Sequence, residues 1–225
     1  MVTGVISNMM RVRSVAYSIF SRVFENVPDE CSDRFCADTA KHIFELADLS
    51  DNEDFRLGAE MLEVFYGSKE CPVELAASRD DRARDYTRLF VFGKLSVPIN
   101  ESGYTCSEKK YNSEIGALSF YSSRFLNRNV RNRSLGHISA ELQFAGLLSL
   151  KAAAFMDSGN FEEADKFVDE QHQFNLHHLS GWASQFCDAV TDSRDDLINS
   201  FYPAHAYMLK GFLAEDMLFL KELME

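Results

Sequence analysis

No apolar run in this 225-residue chain approaches the roughly 20 residues that a membrane-spanning helix needs. Residues Met1 to Met10 lack the long apolar core and small-residue cleavage site of a secretory signal. There is no CxxC pair among the five cysteines, Cys31, Cys36, Cys71, Cys106 and Cys187, and the spacing of Cys31 and Cys36 is poor for half of a zinc site. Five reduced thiols in a reducing cytosol are the simplest reading. The eleven glycines are scattered, and none forms a phosphate-binding loop with a following lysine. HExxH, G-x-S-x-G, an adjacent His-Asp pair and paired Glu-x-x-His motifs are all missing, which weighs against the common hydrolase and di-iron classes. No repeat of solenoid period is visible.

What is present is a core. Hydrophobic residues make up 46% of the chain, with 19 phenylalanines, far above what a disordered chain holds. A chain of this length buries roughly 70% of its unfolded surface. The net charge of −12 disfavours nucleic acid and anionic membrane surfaces and favours basic partners, although solubility alone accounts for many acidic proteins.

Helical periodicity dominates. Val12, Val15, Ala16, Ile19, Phe20, Val23 and Phe24 recur at three- and four-residue steps, with Ser7 or Asn8 available as a cap and Pro28 beyond the end. Further helices are expected at about 33–47, at 54–66 ending on Gly67, from Pro72 through Leu75, Tyr86, Leu89 and Phe90 to Gly93, and at 114–125. Residues 95–107 are irregular. His137 to Met156 reads as a helix with Ile138, Leu142, Ala145 and Leu148 inward. A turn at 157–160 follows, with Asn160 and Glu163 spaced as a capping box for a helix that extends toward Val190. The last helix begins near Pro203. The sum is an all-α bundle of about 8–11 helices in two closely packed lobes, residues 1–126 and 135–225, joined by a polar linker at 127–134.

Two polar clusters stand out. His172, His177 and His178 are the densest histidine group, but 172 and 177 do not share a helical face, and a solvated or core-edge role fits them better than a metal site. Arg124, Arg128, Arg131 and Arg133 form a basic island. It reads either as a wet linker or as an anion contact, such as a nucleotide phosphate.

Several segments, in order, resemble the TorD/DmsD family of redox-enzyme maturation chaperones. Asp85-Tyr86-Thr87-Arg88-Leu89-Phe90 is similar to the family's acidic-aromatic-x-x-Leu-Phe segment. Val97-Pro98-Ile99-Asn100-Glu101-Ser102-Gly103-Tyr104 is similar to its Pro-x-Glu-Ser-x-Tyr loop with one extra residue. Leu135-Gly136-His137-Ile138-Ser139-Ala140-Glu141-Leu142 resembles its Asp-His-x-x-x-Glu-Leu segment, with Gly136 where the family usually has aspartate. His178-Leu179-Ser180-Gly181-Trp182-Ala183-Ser184-Gln185-Phe186 matches its His-Leu-x-x-Trp-x-x-x-Phe helix.

The resemblance implies a cytoplasmic, non-catalytic chaperone. Its partners would be the twin-arginine leader peptide and the apo form of a molybdopterin oxidoreductase, and its work would be cofactor insertion before export. No cofactor of its own is expected. GTP binding, and either a monomer or a homodimer, are options the family leaves open. The implied client contacts are Tyr86, Phe90, Pro98, Glu101, Ser102, Tyr104, His137 and Glu141; Arg128, Arg131 and Arg133 come from the basic island alone, as an anion contact or a wet linker. A basic and then apolar guest needs carboxylates and an aromatic groove. Other roles stand beside these: core packing for Leu89, Phe90, Trp182 and Phe186, an ion pair within the bundle for Glu141, and a helix-start hydrogen bond for His137. The rival reading is a helical interaction adaptor without an export client; a nucleotide-hydrolysing enzyme built on the arginine island ranks below both.

Overall fold

The computed structural model describes residues 2–67, 75, 77–92, 95–105 and 136–225. The described residues are helical, with one isolated antiparallel bridge between Asn100 and His137. No helix among them is long and apolar enough to cross a membrane. The helix expected at 114–125, the linker at 127–134 and the arginine island lie outside the described residues.

The helices are α1 (Val2–Val23), α2 (Glu30–Leu49), α3 (Glu53–Tyr66), α4 (Arg79–Tyr86), α5 (Ile138–Asp157), α6 (Phe161–Phe174), α7 (Ser180–Asp192) and α8 (Phe201–Met224). Two π-helical turns extend the pattern: Thr87–Val91 after α4, and Asn175–Leu179 between α6 and α7. Several boundaries follow from local chemistry. Asp29 and Ser32 form a reciprocal capping box at the start of α2. Gly67 ends α3 in the left-handed region at φ 73°, where a side chain would be strained. Asn160 accepts the Glu163 N–H at the start of α6, as its sequence position predicts.

α1 does not start at Ser7 or Asn8 as its sequence suggests; it begins at Val2. Ser7 is buried within it, and its hydroxyl donates to the Ala153 carbonyl and to Asp157 at the far end of α5. The 160–190 helix is likewise not one uniform rod, because the wider turn at 175–179 interrupts it.

The chain divides into two compact units. The first comprises Met1–Ser21, Asn100–Trp182 and Ala214–Glu225. Its centre is the α5–α6 hairpin. Ile138, Leu142, Ala145 and Leu148 are all fully buried, as their spacing predicts. Phe144 meets Phe174 edge-on at 4.7 Å, Phe155 stacks on Phe167 at 5.4 Å, and the Ser149 hydroxyl donates to Gln171 at 2.9 Å. A buried polar knot fixes α1 in this unit. Asp216 accepts from Arg13 and from the Tyr17 hydroxyl, each at 2.7 Å, and from the Asn175 amide at 3.1 Å.

The second unit comprises Arg22–Ile99 and Ala183–Leu213. α2 packs on α3. α3 also meets α8 where side chains are small: a Cβ on Gly58 would lie 2.7 Å from the Met208 nitrogen, and one on Gly211 2.6 Å from the Phe55 nitrogen. Arg82, almost fully buried, bonds Asp33 at 2.6 Å and lies over the Phe201 ring. Burial pushes the Cys36 thiol up to about 12, so it is inert as a nucleophile.

Candidate functional site

Within the first unit the loop after Ile99 is fastened to the start of α5. Asn100 bridges His137, and the Glu101 N–H donates to the Gly136 carbonyl at 2.8 Å. Glu101–Gly103 then forms one 3₁₀ turn, closed by the Tyr104 N–H on the Glu101 carbonyl at 2.9 Å. His137 stands in extended backbone as the N-cap of α5, and its Nδ1 accepts the Ser139 N–H at 3.2 Å. Of the two roles open to His137, the helix-start hydrogen bond is therefore present.

One turn into α5, Glu141 points inward and is fully buried. Its Oε2 accepts the Trp182 indole N–H at 3.1 Å. Its Oε1 is buried without a hydrogen-bond partner among the described residues. Burial first, and the nearby negative Glu101 second, hold the Glu141 carboxyl well above the usual range, with the Trp182 N–H pulling the other way. Glu101 is 4% exposed and faces His178, whose Nδ1 lies 3.4 Å from Oε2. The His178 ring stacks on Phe174, and Tyr104 stacks on Trp182 at 5.5 Å. Glu101, Glu141 and His178 each present one donor atom, all within 4.8 Å of one another.

The structure thus brings Glu101, Ser102, Tyr104, His137 and Glu141 together in one unit. The two carboxylates are not at the surface; they are buried beneath it, while Ser102, Tyr104 and His137 are half-exposed. Among the described residues Glu141 makes no ion pair; its partner there is the Trp182 indole. Two residues escaped the sequence reading of the site, His178 and Trp182. The signal available was their spacing: four residues apart, they fall on one helical face.

Tyr86, Phe90 and Pro98 lie in the second unit. Tyr86 is buried and meets Phe90 at 5.0 Å, and Phe90 stacks on Phe186 at 5.9 Å, so both belong largely to an aromatic core. Phe90 keeps a partly exposed edge and Pro98 is exposed. Asp85, from the same segment, is fully buried and accepts the Ile198 and Asn199 N–H groups ahead of α8. Arg128, Arg131 and Arg133 lie outside the described residues.

The all-α architecture of the described residues is that of a TorD-like helical chaperone. Residues 34–188, more than half of the chain, match the family described as "Nitrate reductase delta subunit". The chain belongs to that family, the NarJ/TorD-type chaperones of redox-enzyme maturation. No curated protein and no solved structure matches it.

Proposed function

We propose that this chain is a cytoplasmic chaperone that binds the twin-arginine leader peptide and the apo form of a molybdopterin oxidoreductase, and assists cofactor insertion and assembly before export. It acts by binding and carries out no chemistry of its own. The observation that supports this reading most is the fastening of the 100–104 loop to the start of α5. It presents Ser102, Tyr104 and His137 as a half-exposed polar and aromatic edge above two buried carboxylates. The chain's net charge of −12 attracts a basic guest at long range. Tyr104, held by its stack on Trp182, is an aromatic contact with little freedom left to lose. In the second unit, the edge of Phe90 and the exposed Val91 and Phe92 offer apolar surface of their own for an unfinished enzyme. Pro98 is exposed in that same unit, and Tyr86 packs edge-on against Phe90.

A pull-down with an immobilised twin-arginine leader tests the proposal, with the two arginines changed to lysine as control. Lysine keeps the charge but loses the planar fork. Retention on the arginine peptide and at least roughly tenfold less on the lysine peptide is expected, a difference of about 1.4 kcal/mol. Equal, negligible retention on both overturns it.

A further inference from the structure

We propose that Glu101, Glu141 and His178 form a binding site for one divalent transition-metal ion, Zn²⁺ by preference, which ties the 100–105 loop to α5 and to the turn before α7. Three observations carry it. The three donor atoms lie within 4.8 Å of one another, close enough to converge on a single ion. All three residues are buried, so the cluster is unlike the exposed acidic groups common on protein surfaces. Glu141 Oε1 is buried with no partner among the described residues, an orphan acceptor inside the cluster.

The charge balance points the same way. Among the described residues, neither Glu101 nor Glu141 has an arginine or lysine ion-pair partner. Two carboxylates in one buried pocket need a counter-charge or protons. A divalent ion meets both, and two carboxylates with one imidazole are a donor set that Zn²⁺ accepts, leaving one position open. The Trp182 N–H on Glu141 Oε2 orients that carboxylate, as outer partners of metal ligands do, and leaves Oε1 for the ion. His178 sits in the π-helical turn, a widening that recurs at functional positions, and its ring plane is set by the stack on Phe174.

The inference goes beyond leader binding, and its test contains no peptide, so the two fail separately. The full chain is stripped with EDTA and titrated with Zn²⁺ by calorimetry, then with Co²⁺ by visible absorption. We expect one equivalent bound, a melting temperature raised by about 5–10 °C at a hundredfold excess over Kd, and a Co²⁺ d–d band. Glu141→Gln and His178→Asn should each weaken binding by more than roughly a hundredfold, while Glu162→Gln, on the exposed face of α6, should leave it unchanged. If Glu141→Gln does not fold, His178→Asn and the wild-type Co²⁺ spectrum decide. No saturable binding, or wild-type affinity in the folded variants, overturns the proposal.

Discussion

Replacing Asp216 with asparagine should be among the most damaging conservative changes in the first unit. The carboxylate is fully buried and takes donors from Arg13, Tyr17 and Asn175. Burial raises its pKa, and the Arg13 guanidinium, then the Tyr17 hydroxyl, pull it back down. An amide in its place removes the charge opposite Arg13, whose side chain is only 14% exposed, and turns an NH₂ group toward donors on one side. Breaking a buried pair from one end costs about 3–5 kcal/mol. For a chain of this size that is a fall of roughly 10 °C in melting temperature. Tyr17→Phe removes one hydroxyl from the same knot and should cost about 1 kcal/mol. The double variant should lose less than the sum by roughly 0.5–3 kcal/mol, because both act on one network. Urea unfolding reads this well, since the only tryptophan, Trp182, lies in the same unit and its fluorescence reports on it. A loss below about 1 kcal/mol for Asp216→Asn, or strict additivity of the pair, would refute the reasoning.

Other perturbations give distinct signs. Burial lowers the His205 pKa from 6.5 to about 4, so the folded chain binds fewer protons than the unfolded one between those values. Stability should therefore fall as pH drops through that window, by up to roughly 3 kcal/mol, and His205→Leu should flatten that limb in urea titrations run at each pH. Restoring the family's usual residue with Gly136→Asp places a Cβ 3.3 Å from the Glu101 Cβ and a third carboxylate beside two buried ones. The metal-free variant should melt lower, with a cost of about 1–3 kcal/mol. His137→Ala loses the cap of α5, about 1 kcal/mol, whereas His137→Asn keeps an acceptor there. Leader affinity should fall in both while stability falls mainly in the alanine variant; binding losses that follow melting temperature alone would make His137 purely structural.

Much of the fold is legible residue by residue. The steps between Ile138, Leu142, Ala145 and Leu148 define the buried stripe of α5, and Gly67 and Asn160 mark ends that depend on local backbone chemistry. Periodicity reports which face is inward, not what it meets. Ser7 reads as a cap because serine usually serves that way, yet its hydroxyl is used by a carbonyl 146 residues away. The turn at 175–179 is invisible to a fixed period of 3.6. Resemblance places Glu101 and Glu141 in one site, but their burial and the approach of His178, 77 positions from Glu101, arise only from tertiary packing. His178 reads as one of three neighbouring histidines, while its partner on the helix face is Trp182.

Leader binding by this chain is best measured by calorimetry of the full chain with a twin-arginine leader, at low and at moderate salt. Saturable binding is expected that weakens as salt rises and drops at least roughly tenfold when both arginines become lysine. Identical affinity for the two peptides, or no heat from either, would contradict it.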